Sequence, residues 1–181
     1  MKLMELDPEC VEYLEKRYSE AENILKNKEY SNLKNFPRHH FTNTYDHSVR
    51  VACGVVWLAE KWGIDTESAV KVGLLHDMCF VDYYQDHNNP KELRHKGLYA
   101  FYHPIEAAEN AKRVFGLNKT EEKAIKSHMF PLAIHIPTSK LAWALTLSDK
   151  AVATYEGLYG IRMFNKAAAM IGARVALAVM I

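Results

Sequence analysis

Residues 73–78 read GLLHDM and place an imidazole and a carboxylate side by side at the end of an apolar run. The apolar residues before this pair recur at helical spacing and predict a buried helix over about residues 66–80. Burying His76 and Asp77 without partners would cost several kcal/mol. Any fold that this chain adopts must therefore supply partners for both groups in its interior.

Most of the remaining chain also carries hydrophobic residues at helical spacing. Asp7 and the proline after it fit a helix start, Gly63 and Gly116 fit helix ends, and NKTE at 118–121 fits an N-terminal cap. No segment shows the alternation that is typical of a strand. The sequence therefore predicts an all-α fold, with helices over about residues 8–26, 45–62, 66–80, 103–115, 118–128, 139–155 and 161–180.

Two polar segments, residues 36–44 and 82–102, are predicted to be loops. A structureless loop as long as the second one is uncommon in a compact domain unless it is functional or mobile. The length of 181 residues favours a single domain over residues 1–181. We expect its core at about residues 38–155, with the N-terminal helix (about 8–26) and the C-terminal helix (about 161–180) packed on it.

The composition and charge balance of the chain limit the classes of partner that it is expected to bind. The chain is 49% hydrophobic and 25% charged, which provides for a sizeable core, and 23 basic residues nearly balance 22 acidic ones. Because no basic stripe or block of like charge is present, we expect no nucleic-acid polymer and no membrane surface as a partner. A homo-oligomer is compatible with the sequence.

The three cysteines form no CxxC pair and are predicted to be free thiols in a reducing compartment. Acidic residues stand near the N-terminus where an export signal would have its apolar run. The apolar tail that begins at Gly172 has about half of the roughly 20 residues that cross a bilayer. These features predict a cytoplasmic protein.

Six polar residues share a placement on apolar helical faces or at helix ends. Wide gaps separate most of them in the chain, so only the packing of several helices can bring them together. A divalent metal would replace the solvation that buried imidazoles and carboxylates lose, and helical bundles do build such sites. The six residues are His47, His76, Asp77, His103, His128 and Asp149.

The order H…HD…H…H…D resembles that of the HD-domain superfamily of metal-dependent phosphohydrolases. The likeness covers about residues 38–155 and implies a phosphodiesterase-like helical bundle around a metal site. It rests on the stretches YDHSVRVA (45–52), GLLHDM (73–78), FYHPIEAAENA (101–111), IKSHMFPL (125–132) and LTLSDKA (145–151).

The resemblance implies a role for each of the six residues. His47, His76, Asp77 and Asp149 match the ligands of a first metal, and His103 and His128 match the additional histidines of two-metal members. Asp77 would bridge two ions about 3.5–4 Å apart, and a bridging hydroxide would attack phosphorus in line. Imidazole-rich ligation favours Fe, Mn, Co, Ni or Zn over Mg.

Further residues are candidates for binding a phosphate or moving a proton. Arg50 lies one turn after His47 and could reach a phosphate or pair with an acid; Lys150 and Arg38 are similar candidates. His40 is a candidate at the mouth of the site, and Asp82 is the nearest acid that could assist a proton transfer.

Some motifs of the superfamily are missing. The HD-GYP subgroup has a lysine where this chain has Phe80, and no GYP motif is present. The glutamate that some nucleotidases carry shortly after HD is also missing. These departures argue against hydrolysis of cyclic dinucleotides and against a glutamate-assisted mechanism.

We therefore predict a metal-dependent phosphohydrolase that acts on a small phosphate ester, with nucleotides among the candidates. Two alternatives stay open. A mixed-valent di-iron oxygenase of the same superfamily would use the same ligands, although Arg38, Arg50 and Lys150 favour a phosphate substrate. A non-catalytic ligand-binding HD module is disfavoured because no metal ligand is missing.

Overall fold

The computed structural model describes the backbone of residues 8–38, 42–80 and 99–179, and in the last range it describes side chains from 101 to 162. Within these ranges the fold is helical apart from a two-stranded sheet, so the predicted all-α class is confirmed. The elements are α1 (Pro8–Arg17), α2 (Ser19–Leu25), α3 (Lys28–Ser31), a 3₁₀ turn (Asn32–Asn35), β1 (Pro37–Arg38), β2 (Thr42–Asn43), α4 (Thr44–Trp62), α5 (Thr66–Leu75), α6 (Tyr99–Phe115), α7 (Lys119–Ser127) and α8 (Lys140–Val179).

Several predicted helix ends are confirmed. Gly63 and Gly116 follow α4 and α6 at φ of 66° and 65°, the left-handed conformation that glycine adopts without strain. The side chain of Asp65 accepts a hydrogen bond from the Ser68 amide at the start of α5. Asn118 and Glu121 form a capping box at the start of α7.

The N-terminal half differs from the prediction at three places. The expected helix over 8–26 is divided at Tyr18, whose backbone is extended and whose side chain is buried; the expected cap Asp7 lies outside the described residues. The segment 36–44 contains the antiparallel pair β1–β2. Helix α5 ends at Leu75 rather than near residue 80, which places His76 and Asp77 just beyond its last turn.

The C-terminal half differs at two places. Helix α6 begins at Tyr99, four residues before the predicted start. Residues 82–98 of the predicted loop lie outside the described part of the chain. The helices expected over 139–155 and 161–180 are one continuous helix, α8. Gly157 and Gly160 lie inside it, because a glycine costs a helix only about 1 kcal/mol and does not by itself end it.

Helix α4 is central and packs most extensively against α5 and α8. The backbones of α4 and α5 come very close at Gly73, where an added Cβ would lie 2.5 Å from the Cα of Ala52. This close approach is possible only because residue 73 has no side chain. None of the helices in the described part of the chain is both long enough and apolar enough to span a membrane.

Candidate metal centre

The fold brings the six predicted ligand residues into one buried cluster. His47 lies in the first turn of α4, His76 and Asp77 follow α5, and His103 lies in α6. His128 follows the last turn of α7, and Asp149 lies in α8. Each of the six is at most 4% exposed. Five helices therefore contribute to one site, as the spacing of these residues in the sequence requires.

One half of the cluster lies around the Nε2 atoms of His47 and His76. Oδ2 of Asp77 is 3.4 Å from Nε2 of His76 and 3.8 Å from Nε2 of His47. Oδ1 of Asp149 is 3.2 Å from Nε2 of His47 and 3.7 Å from Nε2 of His76. Two imidazoles and two carboxylates thus converge on one point.

The other half lies around the Nε2 atoms of His103 and His128, which are 3.1 Å apart. Oδ1 of Asp77 is 3.3 Å from the first of these atoms and 3.6 Å from the second. Asp77 therefore turns one oxygen towards each half of the cluster, which is the arrangement expected of a bridging carboxylate.

Two of the histidines are oriented by the helices that they follow. Nδ1 of His76 is 2.9 Å from the carbonyl oxygen of Gly73, and Nδ1 of His128 is 2.7 Å from that of Ile125. A carbonyl only accepts hydrogen bonds, so each Nδ1 carries the proton and donates. Each ring therefore presents Nε2 to the cluster, the atom that binds a metal when it is deprotonated.

The donor set fits a divalent metal. Nε2 of His76 and both carboxylate oxygens of Asp77 are buried without a well-directed hydrogen bond, although ionic partners surround them. Such atoms are costly in a protein interior unless another ligand satisfies them. Among the described residues, two groups of three have ligand atoms within 4.8 Å of one another: His47, His76 and Asp149, and His76, Asp77 and His128.

The charges of the cluster are strongly coupled. Burial alone would raise the pKa values of Asp77 and Asp149. Arg38 and neighbouring histidines nevertheless hold the pKa of Asp77 well below its usual range, and neighbouring histidines do the same for Asp149. Burial alone would lower the pKa of His76, but Asp77 and Asp149 raise it to about 10. Burial and two neighbouring histidines lower the pKa of His128. These shifts favour the charged form of both carboxylates and the protonated form of His76.

Two cations pair with the carboxylates of the cluster. Nη2 of Arg38, on β1, is 2.5 Å from Oδ2 of Asp77. Nζ of Lys150 is 2.7 Å from Oδ2 of Asp149 and 3.5 Å from Sδ of Met129. Two of the three cations predicted to bind a phosphate, Arg38 and Lys150, thus lie beside the cluster.

Arg50 takes a different position. Its Nη1 donates to Oε1 of Glu156 at 2.8 Å and to Oγ1 of Thr42 at 2.9 Å. Of the two roles considered for Arg50, the structure supports pairing with an acid. A contact with phosphate stays a prediction. The other two candidates, His40 and Asp82, lie outside the described residues.

Glu156 was not predicted from the sequence. Its Oε2 is 2.8 Å from Nδ1 of His47, and its side chain is fully buried. Burial would raise its pKa, but His47 and Arg50 lower it. The available signal was its place seven residues after Asp149, two turns along the same face of one helix. That signal was hidden because a helix break was expected near this position.

Comparison with protein families agrees with this geometry. The model of the HD domain matches residues 44–154, well over half of the chain. The chain belongs to the HD domain family. HD domains are mostly metal-dependent hydrolases and bind divalent metals. The buried histidines and aspartates of this HD domain could hold such a metal. Searches of curated proteins and of solved structures found no match.

Proposed function

We propose that this HD domain is a metal-dependent phosphohydrolase that acts on a small phosphate ester, with nucleotides among the candidates. The observation that carries the proposal is the position of Asp77 between two groups of imidazoles, with Oδ2 directed to one group and Oδ1 to the other. Paired ions that share a carboxylate are typical of enzymes that cleave phosphate esters.

The six buried residues would divide between two ions. Asp77 would contact both, and bound divalent ions would activate a water molecule for attack on phosphorus and neutralise charge on the phosphoryl oxygens. The remaining ligands would be His47, His76 and Asp149 for the first ion, and His103 and His128 for the second.

Arg38 and Lys150 would hold the anionic group of the substrate. Their side chains are 14% and 35% exposed, so each lies between the buried cluster and solvent. Oδ2 of Asp77 faces both Arg38 and His76, and a cation bound there would compete with the guanidinium. The arginine would then be available for a phosphate oxygen, with which it forms strong, directed hydrogen bonds.

The first test is metal analysis of anaerobically purified protein, followed by phosphate release from a panel of nucleotides and sugar phosphates. We expect transition metal in the wild type and phosphate release that His76→Ala abolishes. His135→Ala is the matched control, because His135 is exposed in the loop after α7. Equal loss of activity in both variants would contradict a role for the buried histidine.

The second test separates hydrolysis from oxygenation. Phosphate release that persists without oxygen, with manganese as the metal, supports the proposal. The opposite result would be oxygen-dependent loss of substrate that requires iron, with no phosphate released from any ester. That result would replace the hydrolase by an oxygenase built on the same ligands.

A further inference from the structure

Glu156 is a buried carboxylate with a partner on each oxygen. It lies in α8, two residues beyond the part of the chain that the family model matches. Oε2 is 2.8 Å from Nδ1 of His47, and Oε1 is 2.8 Å from Nη1 of Arg50. These contacts join a predicted metal ligand to a cation through one side chain.

We propose that Glu156 is a positioning residue that sets the tautomer of His47 and thereby makes Nε2 available to a metal. Because it is ion-paired with Arg50, the carboxylate accepts hydrogen bonds and donates none. Nδ1 of His47 must therefore carry a proton. In the neutral ring, the lone pair then lies on Nε2, the atom that faces Asp149 and Asp77.

Arg50 fixes the orientation of the side chain at residue 156. A guanidinium has donors only, so it requires an acceptor at Oε1 of Glu156. It also donates to Thr42 in β2, which fixes its own position. The arginine thus requires a hydrogen-bond acceptor at the Oε1 position of residue 156. The other terminal atom of that side chain then faces Nδ1 of His47.

This geometry makes the nearly isosteric Glu156→Gln change informative. The amide has one acceptor and one donor group, and Arg50 will take the acceptor. The amide NH₂ is then directed to Nδ1 of His47, which must accept the hydrogen bond. That reverses the tautomer and leaves a proton on Nε2, where a metal would bind. The side chain keeps its size while the histidine loses its ligand atom.

The inference rests on the proposed function only in requiring that His47 binds a metal, so the test measures metal affinity rather than turnover. Manganese binding is measured by calorimetry in the wild type, Glu156→Gln, Arg50→Met and the double variant. We expect Glu156→Gln to weaken binding roughly 10–100-fold, as loss of an orienting partner of a metal-bound histidine does. The same change should cost much less in the Arg50→Met background, because the amide oxygen is then free to turn to Nδ1.

Glu109→Gln is the matched control, because Glu109 is exposed on α6 and should leave affinity unchanged. In the zinc-loaded wild type, long-range ¹H–¹⁵N spectra should show a proton on Nδ1 of His47. An equal loss of affinity in both Arg50 backgrounds, or none, would overturn the inference and leave the proposed function intact. A wild type that binds no metal would contradict both.

Discussion

Arg38 and Asp77 form an ion pair at the edge of the histidine cluster, with 2.5 Å between Nη2 and Oδ2. Arg38 comes from the short strand β1, whereas Asp77 follows α5. The same carboxylate oxygen lies 3.4 Å from Nε2 of His76. A metal held by His76 and Asp77 would therefore compete with the guanidinium, and Arg38 serves as the counter-ion of Asp77 when no metal is bound.

Arg38→Gln should destabilise the metal-free protein and spare the metal-loaded one. With chelator, we expect the free energy of unfolding to fall by about 1–3 kcal/mol, because a buried carboxylate loses its partner. With manganese the loss should be smaller. Urea denaturation measures both. The control is Arg113→Gln, which breaks an exposed pair with Glu29 that should contribute little to stability because solvent screens it. Equal losses with and without metal would refute the competition.

Asp77→Asn should remove both metals, whereas His103→Ala should empty only the second site. The reason is that Asp77 faces both groups of imidazoles, while Nε2 of His103 lies in the second group, beside Oδ1 of Asp77 and Nε2 of His128. Metal content by mass spectrometry after dialysis measures the difference. Full metal content in Asp77→Asn would show that the carboxylate is not a bridge.

Stability of the chelated protein should be greatest near pH 6.5. The folded-state pKa of His76 is raised from 6.5 to about 10, so its contribution is complete below pH 6.5 and is lost as the pH rises towards 10. The pKa of His128 is lowered, so stability also falls as the pH drops below 6.5 and the unfolded chain takes up a proton. Asp77 and Asp149, with lowered pKa values, add a further loss once the pH falls below about 4.

Thermal melts from pH 4 to 10 measure this profile, with and without manganese. Metal replaces protons on the histidines, so the loss of stability above pH 6.5 should disappear in the loaded protein. A chelated protein that becomes more stable between pH 7 and 9 would contradict the assignment of charged His76.

Gly73→Ala should be strongly destabilising, and Gly157→Ala should not. A Cβ at residue 73 would lie 2.5 Å from the Cα of Ala52, so α4 and α5 would have to move apart at a cost of about 1–3 kcal/mol. At Gly157 nothing lies within 4 Å, and alanine should stabilise α8 by up to about 1 kcal/mol. Denaturation midpoints compare the two. The Gly73 variant should also bind metal more weakly. His47 lies in α4 and His76 directly follows α5, so moving these helices apart would separate two ligands of the first metal.

The sequence was sufficient for those features whose physical cause is local. Helical periodicity and capping residues identified α4, α5 and α7 and their caps at Gly63, Asp65 and Asn118. The helix breaks were predicted less well, because a break depends on what surrounds it. Tyr18 interrupts the first helix where its ring is buried, and α8 continues through two glycines that a local rule would allow to end it.

The same division applies to the site. The sequence by itself determined which groups had to be buried together, because an imidazole beside a carboxylate on an apolar helical face requires partners, and only a few such residues were available. Only the tertiary structure decided how these groups pair. It determines which oxygen of Asp77 faces which histidine, and it pairs Arg38 with Asp77 and Arg50 with Glu156. Residues 50 and 156 are more than a hundred positions apart, so no local pattern connects them. Their contact exists because α4 and α8 pack together and both groups need a partner where water is excluded.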